Sequence, residues 1–218
     1  MKKILDEIAK NHNPRDVFFD FVKLTALSIS NYFSADKNDI FKHREQEYMV
    51  IISKYSKDDA KKLSDLMGKL AIDLNNSIDD YLGKLYMDTI PCSNLGQFFT
   101  PFHLSILVSK TSVSDDVLKR EINEKGKIIM YEPSCGSGGM ILAMVKRLKD
   151  LGYNPSEIME VHASDIDINS VYMTYIQLSL LNINAQVIRK DSLSKSNIID
   201  SKDVFNSPLF VGRKMMYG

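Results

Sequence analysis

Three carboxylates, each closing an apolar run, carry the chemical content of this chain: Glu132, Asp165 and Asp191. Glu132 ends the run Ile128, Ile129, Met130, Tyr131 and is followed by Pro133 and three glycines within four residues, Gly136, Gly138 and Gly139. A strand, an acidic residue, a glycine loop and a helix, in that order, let backbone N–H groups approach an anionic ligand closely, with a helix N-terminus behind it. The acid at the strand end suits a ligand that also carries positive charge. Asp165 follows the loop by one helix and one strand, the position of an acceptor for both hydroxyls of a ribose. Ile166 beside it offers an apolar face to an adenine ring, and Asp191, one strand further, suits an exocyclic amine. Strand ends are also acidic because helix N-termini follow them; three in succession favour the ligand.

The elements that must position these groups are readable from periodicity. Residues 140–152, MILAMVKRLKDLG, have the spacing of an amphipathic helix that stops at Gly152. A second strand within EIMEVHASDID leads to Asp165, and a helix over 169–181 carries Val171, Met173, Ile176, Leu178 and Leu181. A third strand, AQVIRK, ends at Asp191. In a parallel sheet these ends share one edge, and right-handed crossovers are expected to set the helices on its two faces. Ahead of the first strand stands GQFFTP, residues 96–101, a compact aromatic loop. Thr100 is expected to cap a helix beginning at Pro101. Residues 111–126 are polar and predict a connection with one short helix.

The first 95 residues read as helix throughout. Asn13 and Pro14 make an N-cap and first-turn pair ahead of an apolar stripe from Val17 to Ile29. A second helix is expected over 40–55. Ser56 with Asp59 forms a capping box for a third running to about Leu74, and a fourth covers 79–87. The organisation is therefore an all-helical N-terminal module, residues 1–95, followed by an α/β ligand-binding domain, residues 96–218.

Composition narrows the partners. Lys and Arg number 28 and Asp and Glu 28, so the formal net charge is +0 and no overall field draws the chain to nucleic acid; any basic face is local. The two cysteines, Cys92 and Cys135, and four scattered histidines form no metal-ligand or disulfide spacing. Without a signal peptide or an apolar run of about 18 residues, the expected location is cytoplasmic, with no membrane. Cys135 lies on the glycine turn, but no histidine or acid base is near it in sequence, which argues against covalent catalysis. A dinucleotide oxidoreductase fits poorly: Asp165 lies 29 positions beyond Gly136 rather than about 20, and the glycines are not GxGxxG.

Taken together, DYLGKLYM, GQFFTP, EPSCGSGGMIL and SDIDINSVYMTYIQLSLLNI resemble, in that order, the S-adenosylmethionine-dependent N6-adenine DNA methyltransferases, in particular the modification subunits of type I restriction systems and small phage- or plasmid-type relatives. GQFFTP ahead of the glycine motif is what points to the adenine class. The resemblance implies a partial Rossmann-like methyltransferase domain of the α/β class, with S-adenosyl-L-methionine as cofactor and DNA as partner. It implies that Phe98, Phe99 and Thr100 border the methionine end of the cofactor. Glu132, Ser134, Gly136 and Gly138 surround its amino acid part, Asp165 holds the ribose, Ile166 packs on the adenine and Asp191 reaches the adenine amine. No metal is implied.

The family's catalytic motif is a polar residue, two prolines and an aromatic, which hold a flipped base and its amine. Here the segment that resembles it is Ser207-Pro208-Leu209-Phe210, with leucine in place of the second proline. Ser207, Pro208 and Phe210 are its candidate catalytic residues. Residues 201–206, SKDVFN, are too polar to predict a buried fourth strand. Eight residues follow Phe210, so the later strands of such a sheet and a sequence-reading domain are expected to be absent, which leaves a sheet edge to be covered by a specificity subunit, a second copy or the N-terminal helices. The expectation is thus an adenine-specific DNA methyltransferase. The alternative is a catalytically weak or inactive cofactor-binding protein, acting as an anti-restriction factor or as a subunit of a larger methylation complex.

Overall fold

Asn13 and Pro14 start a long helix as their types predict: the Asn13 side chain accepts from the Arg15 N–H at 2.9 Å, and proline fills the first turn, where a missing N–H costs nothing. The computed structural model describes residues 1–34, 38–90, 98–194 and 198–217. Among these, five helices precede residue 91: α1 (Lys2–Ile8), α2 (Pro14–Tyr32), α3 (Asp39–Ile52), α4 (Lys57–Asn76) and α5 (Tyr81–Thr89). Ser56 caps α4 by accepting from the Asp59 N–H at 3.1 Å. The first helix, α1, lies outside the four expected from the sequence. At seven residues it is too short to show a period, and it is held through Leu5 and Ile8, both buried.

The rest of the chain runs α6 (Phe102–Ser112), α7 (Asp115–Lys125), β1 (Ile128–Glu132), α8 (Gly139–Asp150), α9 (Pro155–Ile158), β2 (Met159–Asp165), α10 (Ile168–Leu180), β3 (Asn184–Arg189), β4 (Val204–Asn206) and α11 (Pro208–Tyr217). Thr100 does not cap α6, as the sequence suggested. Pro101 occupies the cap position in an extended conformation (ψ 136°) and no side chain bonds the first turn, which leaves Thr100 one residue outside the helix. Gly96 and Gln97 of the aromatic loop, Cys92, and the expected domain boundary near residue 95 lie outside the described residues.

The sheet has the order β1-β2-β3-β4, with the first three strands parallel. Because β1, β2 and β3 step sideways in one direction, two right-handed crossovers set α8 and α10 on the same face, rather than on opposite faces as the sequence reading had it. Burial agrees. Val161, Ala163, Ala185 and Val187 on that face are 0–2% exposed, while Tyr131, His162 and Gln186 on the other are exposed or half-buried. The second face meets α11, where Phe210 stands edge-on to His162 at 6.4 Å and His162 stacks on Tyr131 at 5.2 Å. Among the described residues β1 has no strand on its outer side.

A fourth strand does form from the polar stretch before Ser207, and it runs antiparallel to β3, pairing Gln186 with Asn206 and Ile188 with Val204. Phe205, its buried residue, turns inwards against Tyr172 and Tyr175 of α10 at 5.2 and 5.4 Å. One side chain from the N-terminal helices pins it. Arg44 of α3 is 9% exposed, donates to the carbonyls of Val204 (2.8 Å) and Lys202 (3.2 Å) and to Ser30 Oγ, and lies 4.2 Å over the Phe205 ring. Burial pulls its pKa down from the ordinary arginine value. A single hydrophobic cluster runs from Phe18 and Leu70 through Met173 and Ile176 to Val187, with α2 lying along α10. Among the described residues no helix is long and apolar enough to cross a membrane.

Candidate functional site

The glycine loop is shaped by two left-handed residues, Gly136 (φ +54°) and Gly138 (φ +96°), a conformation that side chains resist. At Gly136 a Cβ would also meet the Phe99 ring at 3.0 Å, and at Gly138 the Thr174 hydroxyl at 3.1 Å. The loop is tied down from below: the Cys135 N–H donates to the Ser164 carbonyl at 2.9 Å, and Thr174 Oγ1 donates to the Gly136 carbonyl at 2.9 Å. Its far end becomes the N-terminus of α8, whose cap residue is Gly138.

Asp165, at the end of β2, meets this loop directly. One carboxylate oxygen accepts from the Gly136 N–H at 2.9 Å and the other from the Asp167 N–H at 2.9 Å, so each oxygen keeps a further lone pair. Glu132 ends the adjacent strand and accepts from the Ser134 N–H at 3.2 Å. Burial, with a smaller contribution from the Asp165 charge, pushes the Glu132 pKa up, and the Ser134 N–H opposes them. Among the described residues neither carboxylate has an ion-pair partner. Two acids side by side without a cation leave an excess of negative charge at the mouth of the loop.

A cavity of about 230 Å³ opens here. Phe99, Thr100, Ser134, Gly136 and Asp165 line it, together with Ser105 and Ser170, which were not singled out in the sequence. Phe98, 67% exposed, stands at its rim, and Phe99 packs edge-on to Tyr86 at 4.8 Å. Ile166, 65% exposed, presents bare apolar surface just beyond Asp165. Asp191 lies two residues past the end of β3, exposed, with one oxygen taken by the Leu193 N–H. Its loop reaches the same edge because Ser192 Oγ donates to the Pro133 carbonyl at 2.7 Å and meets Ser164 Oγ at 3.0 Å. Of the residues the resemblance nominates for the cofactor, all ten therefore gather on the carboxyl edge of β1, β2 and β3. Cys135 is buried, and burial pushes its thiol up to about 12, which leaves no thiolate near neutral pH.

The three residues nominated for catalysis are not there. Ser207 follows β4, and β4 is antiparallel, so the chain delivers it to the opposite end of the sheet. The Ser207 N–H donates to the Ala185 carbonyl at 2.8 Å, and the Ala185 N–H donates to Ser207 Oγ at 3.0 Å. Ser207 Oγ in turn donates to the Ile183 carbonyl at 2.7 Å and accepts from the Phe210 N–H at 3.3 Å, which caps α11. Ala185 lies four residues before Arg189 on β3, so Ser207 is about 13 Å along the strand from the carboxyl edge. Pro208 is the first residue of α11, and Phe210 faces His162 on the open side of the sheet.

The fold and this site define a Rossmann-like α/β protein with its candidate ligand groups at the carboxyl ends of parallel strands. The N-6 DNA methylase family model matches residues 79–209, more than half of the sequence, and the chain belongs to that family. No curated protein matches it. Among solved structures it overlaps a chain of the DrdV–DNA complex with a TM-score of 0.47 and 16% identity, over 98% of this chain and 24% of that one. It also overlaps a Listeria monocytogenes protein named for the class I S-adenosylmethionine-dependent methyltransferases, with a TM-score of 0.42 and 12% identity, over 99% of this chain and 68% of that one. The chain thus spans about a quarter of the DrdV chain. Superpositions this loose assign no residue and no activity.

Proposed function

We propose that the chain binds S-adenosyl-L-methionine at the glycine loop and takes part in methylation of adenine N6 in DNA. The observation that carries the cofactor is the uncompensated pair Glu132 and Asp165 beside a loop of left-handed glycines at the mouth of the cavity. S-adenosylmethionine has the matching chemistry: two cationic centres, a carboxylate, two vicinal ribose hydroxyls and an adenine. Glu132 suits the amine, and the loop of Ser134, Gly136 and Gly138, with the N-terminus of α8 behind it, suits the carboxylate. The spare lone pairs of Asp165 suit the ribose hydroxyls, Ile166 suits one face of the adenine, and Asp191 has an oxygen left for the adenine amine. Phe98, Phe99 and Thr100 close over the methionine end. The bound cofactor supplies an electrophilic methyl group; the chain's own residues hold and orient it.

The acceptor half of the reaction needs a lone-pair acceptor and a stacking ring at that same edge. In the family resemblance Ser207, Pro208 and Phe210 supply them, yet here they lie at the other end of β3, and the Ser207 hydroxyl is fully engaged. This specific observation favours the second reading: the isolated chain holds the cofactor and transfers methyl weakly or not at all. The base-accepting groups then come to the free side of β1 from a specificity subunit, from a second copy, or from residues 207–210 after release from β3. Calorimetry with S-adenosylmethionine tests the cofactor. A tritiated-methyl assay on unmethylated DNA, with wild type and with Ser207→Ala and Phe210→Ala, tests the transfer. No heat at millimolar cofactor sinks the first part. Robust transfer by the isolated chain that both substitutions abolish, with folding intact, sinks the second reading.

A further inference from the structure

Asp80 is 3% exposed, and among the described residues no cation pairs with it. Its neighbour Asp79 takes Lys84, the nearby base, outwards. A carboxylate buried without a counter-charge is expensive, and burial pushes its pKa up against the opposing pull of its hydrogen bonds. Such a group persists where its hydrogen bonds hold something in place. Here they tie three separate elements together. Asp80 accepts from the Gly83 N–H of α5 at 2.9 Å, from Ser137 Oγ of the glycine loop at 2.5 Å and from Gln177 Nε2 of α10 at 3.0 Å. Gln177 Nε2 also donates to the Ser137 carbonyl at 2.8 Å, and Gln177 Oε1 accepts from the Leu82 N–H at 3.3 Å.

Ser137 is therefore gripped at both its hydroxyl and its carbonyl, and it is the residue between the two left-handed glycines. Those grips add to the bonds that Ser164, Asp165 and Thr174 make to the backbone of Cys135 and Gly136, and they hold the one side chain between two glycines that have none to lock. The packing leaves no slack. A Cβ on Gly83 would lie 2.1 Å from Asp80 Oδ2 and 2.5 Å from Ser137 Oγ, so α5 can pass this close only with a glycine there. Gly139, the first residue of α8, has its bare Cα side turned to the same carboxylate oxygen, which is 3.4 Å from a Cβ built there.

We propose that Asp80 is a positioning residue for the ligand site: through Ser137 and Gln177 it holds the glycine loop in the shape in which residues 134–137 line the cavity beside Asp165. The inference rests on the cofactor reading above for the identity of that ligand, and on the geometry alone for the brace. Asp80 lines no part of the 230 Å³ cavity; Ser137 does, and it links Asp80 to the cavity.

The test uses the full chain and three substitutions, Asp80→Ala, Asp80→Asn and Ser137→Ala, read by calorimetry with S-adenosylmethionine, amide hydrogen exchange over residues 134–139, and melting temperature. Asp80→Ala and Ser137→Ala should each weaken the cofactor about tenfold or more and speed exchange in the loop. Combined, they should cost no more than the larger of the two, because they cut one linkage. Asp80→Asn should recover most of the affinity, since an amide still accepts from Gly83 and Gln177 and donates to Ser137 Oγ. Additive losses, wild-type affinity in a folded Ser137→Ala protein, or an Asn variant as weak as the Ala variant overturn the proposal. If Asp80→Ala does not fold, Ser137→Ala and Asp80→Asn decide it by the same criteria. If the wild type binds no S-adenosylmethionine, the cofactor reading fails, and loop exchange decides the brace alone: rates unchanged by Ser137→Ala overturn it.

Discussion

At the carboxyl ends of β1 and β2 Glu132 and Asp165 keep lone pairs to spare, Asp165 on the cavity wall, whereas at the amino end of β3 each polar group of Ser207 is already engaged. The backbone of Ser207 continues the ladder with Ala185, its carbonyl starts α11, and its hydroxyl makes one donation and two acceptances. Asp165 makes two acceptances from backbone N–H groups and keeps room for two more. Both are polar residues at strand ends, and both sit in motifs that resemble functional ones. What separates them is whether their hydrogen-bonding capacity is spent inside the protein. A satisfied buried hydroxyl reads as structure, and an unspent carboxylate pair beside a void reads as a site.

The largest effect expected from this contrast is on Asp165. Asp165→Ala should lower S-adenosylmethionine affinity by about a hundredfold or more, because charge-assisted hydrogen bonds to the ligand and the brace on Gly136 are lost together. Calorimetry reads it, and unchanged affinity would place the ribose elsewhere. Ser207→Ala should act in the opposite register, costing about 1–3 kcal/mol of stability through an unpaired Ala185 N–H and a lost cap, with cofactor affinity unaltered. Denaturant unfolding beside calorimetry checks that pairing. A loss of methyl transfer with full stability would instead restore Ser207 to catalysis.

A smaller effect separates the two ends by pH. The raised pKa of Glu132 means that it stays partly protonated above the usual carboxylate range, and a cationic ligand favours its ionised form. Affinity for S-adenosylmethionine should therefore rise as pH climbs through and just above the ordinary carboxylate range, and Glu132→Gln should flatten that rise. Titrations across this range would sharpen the comparison, since among the described residues the bonds of Ser207 go to backbone groups and to no carboxylate. The smallest effect concerns DNA. With a formal net charge of +0, binding by the isolated chain should be weak and should fall steeply with salt. Tight, selective binding at physiological salt, measured by fluorescence anisotropy, would contradict this.

Much of the carboxyl edge was legible before any coordinates, because it depends on local order: strand, acid, glycine, helix. Glu132, Gly136, Gly138, Asp165 and Asp191 all follow from that pattern. The other end was not legible, because its direction depends on pairing across sequence. Nothing in SKDVFN announces that Phe205 will turn in against Tyr172 and Tyr175 while Arg44, far away in α3, takes the carbonyls. The helices share one face of the sheet for a related reason: crossover handedness was known, but strand order was not. Asp80 does not stand out in the sequence because the helix expected over 79–87 places it inside the first turn, whereas it is the cap of α5. The three-residue spacing to Gly83 was the available signal, and its partners Ser137 and Gln177 lie 57 and 97 residues away.

Arg44 has a further consequence, in time rather than in space. Its acceptors on Lys202 and Val204 lie 158 and 160 residues downstream. At roughly 5–20 residues per second, a ribosome takes on the order of 10–30 s to make that stretch. Until then the guanidinium has no carbonyls to receive it, and closing so long a loop is entropically slow. The N-terminal helices can assemble early, but the seam between them and the sheet is among the last parts of the molecule to close.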